Sequence, residues 1–578
     1  MAEKSKSKQE KDMELLSKWL KRYKSSESYC EDFFKEGKDN YKLYKCYKDS
    51  STGTDSYKHN IFVPYSFAFL EDFVSYMMIS LMTAPKIFSV SPRGPGSKPG
   101  PGTRGISKEL ALDLEQVINW AIHQEETEFY LEIEEALKGL NIYSVGYILT
   151  FPHLDDNDDF DYLHMTAPYP LDIFPEPGAK RLSRANWVIR KSHEDFDALK
   201  TQEKLGIYSN VDEAKGYIGD DTEVNKMMKS IGLNPNSIKD DVKSGRVELL
   251  DIFQDGHIIT IGNRKAIIRN TFEEDYKPSI FRFPLLDARA SGAPQEYFGV
   301  SLMQSIKPIQ KELNLLRSQR RDNVSLLLNK LFVIDMMAGE VDLTTLFSAP
   351  GNAILTTNRA AIDELPIHDL TESSYKEEEA LKYDIQNITS LWDYARGATP
   401  QRRETATGIV RLQQASQGRT EWLLRKFDLY ILQPLARRLI VHLRDHMDYN
   451  DFAEICGRES TETADEFFYL EPHKIKRLLS IQPITQSIQS IKEVELNQFI
   501  QAFDRLISLP EVNRAGLIKL LLLKLGNRNI KEILPQLSDE AQSGVIDGMG
   551  QLQERNDLAR MARKAALEGK GGEVPPSA

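Results

Sequence analysis

Gly100 to Ser107 (GPGTRGIS), ahead of a helical stretch, carries the glycine spacing and final serine of a phosphate-cradling loop. Ile106 stands where such a loop needs the lysine that reaches the β- and γ-phosphates, and no apolar strand directly precedes it, so a surface loop is expected. Asp155, Asn157, Asp159 and Asp161 alternate like the start of a calcium loop. Phe160 occupies the required glycine position and no glutamate closes the loop, which leaves a solvated hairpin tip. His442 and His446 lie four apart on one helix face, but Leu443 replaces the glutamate base of a zinc protease, so both read as helix-surface histidines. There is no Gly-x-Ser-x-Gly elbow and the carboxylates are dispersed, so no catalytic group, metal site or cofactor is expected. One cluster of positive charge remains: Arg396, Arg402 and Arg403 flank Gly397, Thr399 and Pro400 between two helical stretches. Flexible backbone there can bring several cations onto a phosphate backbone; the competing reading is a solvated cluster at a helix end.

Composition narrows the classes further. A chain of 578 residues suggests about three or four domains or one elongated, multi-lobed subunit. Hydrophobic residues at 41% and charged residues at 28% exclude a disordered chain. The net charge of −12 argues against a protein that coats nucleic acid with its whole surface. Cys30, Cys46 and Cys456 are too few and too scattered for a disulfide framework or a structural zinc site, and read as free thiols in a reducing cytoplasm. Met1 to Asp12 is a Lys/Ser/Glu tract without a signal peptide's apolar segment. Phe73 to Pro85 is shorter than the about 20 residues a spanning helix needs, so it reads as a buried helix and no membrane role is expected.

The elements that must position these residues are mostly helical. A first helix is expected from Glu10 to about Lys24, because Met13, Leu16, Leu20 and Tyr23 recur at steps of three and four. An aromatic segment follows (Tyr29, Phe33, Phe34, Tyr41, Tyr44, Tyr47), then a helix from Pro64 to Met82, a strand at Ile87 to Val90 and a Pro/Gly-rich loop over 92–105. Helices at Ser107 to Gln124 and Phe129 to Leu140 precede strands at Tyr143 to Phe151 and Tyr162 to Thr166. Pro168 to Gly178 is too proline-rich for a central strand and reads as an edge crossing into a strand at Trp187 to Lys191. Segment 192–245 reads as helical and polar, and Val247 to Phe253, His257 to Ile261 and Lys265 to Arg269 as three short strands.

The turn Tyr297-Phe298-Gly299-Val300-Ser301 opens a polar helix in which Leu302, Ile306, Ile309, Leu313 and Leu316 form a stripe suited to packing against neighbouring helices. Pro308 inside it deletes a backbone bond at a cost of about 3 kcal/mol, and a kink is expected. Lys307 to Arg321 is strongly basic, a face for phosphates or for an adjacent subunit's carboxylates. Leu331 to Asp335 and Ala353 to Thr356 look like strands, and a helix resumes from Ser374 to Tyr394. Beyond the arginine cluster a long helix is expected from Glu404 to about Met447, interrupted near Gly418 and Pro434; 484–564 is almost entirely helical and 569–578 a loose tail.

This order of helix, strand-rich insert, helix and arginine loop, with Glu404-Thr405-Ala406-Thr407-Gly408-Ile409 opening the next long helix, resembles the portal proteins of tailed bacteriophages, particularly short-tailed ones. The resemblance extends to 60–92 and 168–191, and more weakly to 471–535. It implies a mainly α fold with small β elements (α+β), divided into an N-terminal wing (1–295), stem helix (296–330), clip (331–370), second stem helix (371–395), tunnel loop (396–403), long wing helix and return (404–483), and helical crown with a flexible tail (484–578). It also implies a homododecameric ring at one capsid vertex of the virion, assembled in the host cytoplasm, through which double-stranded DNA is packaged and ejected. The terminase large subunit would dock on the clip and the wing would meet the major capsid protein, with scaffold protein and a tail adaptor as further partners. Arg396, Arg402 and Arg403 would then belong to the tunnel loop, and the Leu302 to Leu316 stripe would pack the stem. The portal itself would not be an enzyme. Other readings are a tail adaptor or scaffold, or a packaging enzyme, whose nucleotide-binding and acidic metal-binding motifs are not found.

Overall fold

The structure, a computed structural model, describes residues 2–47, 59–82, 86–92, 106–154, 160–215, 245–272, 280–290, 295–328, 332–335, 337, 339–342, 355–365, 371–389, 418–456, 461–471, 475 and 478–484. The chain divides at Ile484 into two units, and all described residues belong to the first. The glycine-rich loop up to Gly105, the hairpin tip 155–159, Arg396, Arg402 and Arg403, the Thr405-Ala406-Thr407 stretch, and the crown and tail beyond Ile484 lie outside the described residues.

Helix α1 runs from Ala2 to Tyr44, 43 residues and about 65 Å. The expected break at Lys24 does not occur, and the aromatic segment up to Tyr44 is its continuation. Its buried positions, Trp19, Tyr23, Ser26, Cys30, Phe34, Gly37, Asn40 and Leu43, keep a helical period throughout. Three of them are small or polar, so the apolar pattern fades although the helix does not. Ser26 Oγ donates to the carbonyl of Pro175 (2.9 Å) and Asn40 Nδ2 to that of Ile142 (3.1 Å). A Cβ at Gly37 would lie 2.9 Å from the Tyr143 ring, so glycine sets how closely α1 approaches it.

Helix α2 (Tyr65–Met82) buries Phe69, Leu70, Phe73, Val74, Met77, Met78 and Leu81. Among the described residues no helix is long and apolar enough to cross a membrane. Strand β1 (Phe88–Pro92), helix α3 (Lys108–Ile122) and helix α4 (Phe129–Tyr143) follow close to expectation. Strands β2 (Val145–Leu154) and β3 (Phe160–Thr166) form an antiparallel pair, and β9 (Leu285–Arg289), not foreseen from sequence, joins the free edge of β2 in the order β3-β2-β9.

A five-stranded antiparallel sheet takes the order β4-β5-β6-β7-β8, from Ile173–Pro175, Val188–Asp195, Arg246–Gln254, His257–Gly262 and Ala266–Asn270. Pro175 sits on its edge strand, the place where a missing N–H is tolerated. Asp255 and Gly256 turn β6 into β7 with φ of 48° and 83°, as a two-residue hairpin requires. The stretch read as helical from 192 begins instead as the end of β5; helix α5 covers only Phe196–Lys204, and 216–244 lie outside the described residues.

Helix α6 spans Leu302–Leu328 and continues through Pro308. Strand β10 (Phe332–Ile334) pairs antiparallel with β11 (Ile362–Glu364), a strand not expected from sequence; of the strand-like stretch 353–356, Thr356 makes an isolated bridge to Val341, and 353–354 lie outside the described residues. Helix α7 covers Thr371–Thr389. The described part of the next helix, α8, consists of Gly418–Phe427, a π turn Asp428–Leu432 and Gln433–His446. Pro434 therefore does not break it: the π turn supplies an N–H from Gln433 to the Asp428 carbonyl just before the proline, which has none to offer. Helices α9 (Tyr449–Cys456) and α10 (Thr461–Phe468) lead to β12 (Leu479–Pro483), which pairs with β1. Among the described residues helix exceeds strand in an α+β arrangement.

Candidate functional site

Helix α6 enters from the turn 297–301, which is anchored in the α+β core, and packs against α1, α2, α4 and α7. Tyr297 places its hydroxyl 3.2 Å from that of Tyr147 in the core, and Phe298 stacks on Phe33 of α1 with ring centroids 3.7 Å apart. Ser301 Oγ caps α6 by accepting from the Gln304 N–H (3.0 Å) and also accepts from Asn40 Nδ2 (3.2 Å). The start of α6 is thus fixed to α1 and to the three-stranded sheet.

A row of polar side chains then runs along α6 at steps of four. Gln310, Asn314, Ser318 and Asp322 accept from the backbone N–H groups of Ser66 (3.0 Å), Val63 (2.9 Å), Ile61 (3.1 Å) and His59 (3.1 Å). Four helical residues rise about 6 Å and two extended residues about 6.6 Å, so the rows stay in step over His59, Ile61 and Val63; Ser66, three residues on, is already in the first turn of α2. The helix acts as a surrogate strand edge for the segment leading into α2. In the sequence this row is polar throughout and lies beside the more conspicuous apolar stripe. Within that stripe Ile306 and Leu313 are buried, while Leu302, Ile309 and Leu316 are only half-buried, because the helix turns its polar row inward as well.

Helix α7 packs antiparallel to α6 around Glu378, which is 3% exposed. Arg320 (2.5 Å), Lys382 (2.9 Å) and Arg317 (3.1 Å) all contact its carboxylate. Burial opposes its ionisation, but the hydrogen bonds from Lys382 and Arg320 and the surrounding positive charge outweigh burial and hold its pKa below the ordinary value. The basic run of α6 is consequently much less available than expected. Lys307 pairs with Glu36 (3.1 Å) and Asp39 (3.0 Å) of α1, Arg317 and Arg320 serve Glu378, and Lys311 and Arg321 are the exposed members.

The remaining sequence candidates resolve as structural groups. Ser107 caps α3, accepting from the Leu110 N–H (3.0 Å), and Glu466 receives both its N–H (3.1 Å) and its hydroxyl (2.8 Å); Ile106 is in the core. A carboxylate of the chain itself thus covers that helix N-terminus. His442 is not a surface histidine: it is largely enclosed near Phe281 and Arg438, and burial, with the Arg438 charge, pushes its pKa down to about 4. Cys30, Cys46 and Cys456 form no disulfide. Among the described residues no cluster of His, Cys, Asp and Glu could hold a metal ion.

The described residues form an α+β body whose helices α6 and α7 lie antiparallel beside a small strand pair. A family model described as phage SU10 portal protein matches residues 163–464, a stretch that includes the five-stranded sheet, α6, α7 and α8. The chain belongs to that family, which is a structural, non-enzymatic component of the phage. No curated protein matches the chain.

Proposed function

We propose that the chain is the subunit of a dodecameric portal ring at the unique capsid vertex, forming the channel for packaging and ejection of double-stranded DNA. The observation that carries this reading is the unit α6–β10–β11–α7: two antiparallel helices, locked around Glu378, hold a small strand pair at one end and are fastened to the body at the other. In this reading 296–330 and 371–395 are stem and 331–370 is the clip, on which the terminase large subunit docks before the tail adaptor. Residues 1–295 and 404–483 form the wing against the major capsid protein, with scaffold protein guiding assembly, and 484–578 form the crown. The loop 396–403 projects into the channel and its arginines touch DNA phosphates. ATP hydrolysis belongs to the motor, and a chain at −12 suits a wall along which DNA slides.

Electron microscopy of the purified chain tests this directly. Closed rings with α6 around the central opening are expected. A strictly monomeric species at micromolar concentration, even with scaffold or capsid protein added, would refute the reading.

A further inference from the structure

A cleft of about 640 Å³ opens where β9, the turn around Arg181 and the π turn of α8 meet. Six cationic side chains line it, Arg181, Arg282, Arg289, Lys426, Arg437 and Arg438, against one lining carboxylate, Asp287, 3.8 Å from Arg289; Arg282 is also paired with Asp255 (2.9 Å) outside the lining, which leaves the cations in excess. Several of these cations are held by neutral oxygens. Arg438 donates to the carbonyls of Phe283, Pro284 and Leu285 and to Thr150 Oγ1; Arg289 donates to the carbonyls of Lys180 (2.7 Å) and Tyr297 (3.0 Å); Lys426 donates to that of Ala290 (2.8 Å). Carbonyls satisfy donors without cancelling charge, so the half-enclosed cleft retains an excess of positive charge that an anionic ligand would neutralise. Burial lowers the pKa of Arg438 to about 9 and also lowers that of Lys426, in keeping with uncompensated charge.

Apolar groups form the rest of the cleft: Phe281 and Phe283 in its wall, and Ile280 and Tyr430, 47% and 42% exposed. A recessed apolar wall with guanidinium groups tied back to carbonyls suits carboxylate-bearing polypeptide better than a DNA duplex, which needs cations extended from the surface.

This chain carries such a surface on the far side of the same sheet. In the order β3-β2-β9 the cleft lies at β9, while the turn Glu125–Thr127 before α4 packs against β3. Glu125, Glu126, Glu128 and Glu135 are exposed there, with Leu131 between them 60% exposed. A closed head-to-tail ring requires two different, complementary faces on one subunit. We propose that the cleft is a subunit-interface site that receives the acidic Glu125–Glu135 face of a second copy of this chain. This rests on the ring reading given above.

The test is a charge swap followed by mass photometry over a range of protein concentrations, with near-ultraviolet circular dichroism to establish native folding. Arg181→Glu with Arg437→Glu, and separately Glu126→Arg with Glu135→Arg, should each raise the concentration needed for rings by about tenfold or more. All four changes in one chain should restore most of the assembly. If the arginine pair fails to fold, Arg181→Glu alone, at an exposed position, must move assembly in the same direction. Pairs that assemble like wild type, or a fourfold variant as defective as either pair, overturn the proposal. So does an arginine pair that forms rings normally but loses binding to a short DNA duplex, since the cleft would then serve nucleic acid. Wild-type chain that forms no rings removes the ring reading itself, whereas wild-type rings alongside unaffected variants remove only this interface.

Discussion

Glu378 and Asp428 are both buried carboxyls, and they differ in their company. Glu378 has three cations within contact, whereas Asp428, in the π turn of α8, has burial as its main influence, offset only partly by the charge of Arg425; its pKa rises from 3.8 to about 7. Their pH effects therefore oppose each other. A depressed pKa gives stability that is present above the ordinary value of 4.5 and is lost as acidification passes through the lower folded value; a raised one gives stability that is lost as pH climbs from 3.8 through about 7. Glu378→Ala should cost about 3–5 kcal/mol near neutrality, because it strands Arg317, Arg320 and Lys382 around a buried site; denaturant titration measures it. Asp428→Asn should instead stabilise the subunit, on the order of 2 kcal/mol at pH 8, and should flatten the pH dependence of thermal unfolding between 3.8 and 7. A variant with the wild-type slope in that window would remove Asp428 as its source.

At the scale of elements, one device appears twice. On α6 the row Gln310, Asn314, Ser318 and Asp322 holds the segment 59–66; on α3, Asn119 Oδ1 accepts from Ile87 N–H (2.8 Å) and Glu115 Oε2 from Val90 N–H (3.2 Å), holding β1. In both cases a helix satisfies backbone donors that no strand reaches on that side. Each such acceptor lost beside a buried N–H costs about 1–3 kcal/mol. Asn314→Ala with Ser318→Ala should therefore speed amide exchange at Ile61 and Val63 about tenfold or more, while the amides of α6 keep their protection. Equal acceleration along α6 would mean that the row holds the helix itself. The steps of four were visible in the sequence, but Gln, Asn, Ser and Asp at those steps look like a solvated face until the segment opposite is known.

At the scale of the whole molecule, the proposed channel places its positive charge in the loop around Arg396, Arg402 and Arg403, since most of the cations on α6 already have partners within the chain. Phosphate contacts by exposed arginines are individually weak and screened by salt. Arg402→Ala with Arg403→Ala should leave ring mass unchanged while altering DNA packaging or retention, and the deficit should depend on ionic strength. Normal retention of DNA by the double variant at every salt concentration would return the loop to a solvated helix end.

Local sequence alone determined much of this protein: the short β-branched and apolar runs that make β6, β7 and β8, the apolar run of α2, the proline-bearing edge strand at Pro175, and the missing lysine that disqualifies the glycine-rich loop. These are legible because a short apolar run, a proline or one absent side chain is a property of neighbouring residues. Tertiary structure decided what depends on distant partners. Helix α1 continues past Lys24 because Ser26, Gly37 and Asn40 meet Pro175, Tyr143 and Ile142, contacts that let polar or minimal side chains occupy core positions. Strand β10 chooses Ile362–Glu364 because the chain returns there, and Arg438 is buried because the carbonyls of Phe283, Pro284 and Leu285 converge on it from far along the chain. A buried polar group is tolerated only where its partners are, and that location is a property of the folded chain.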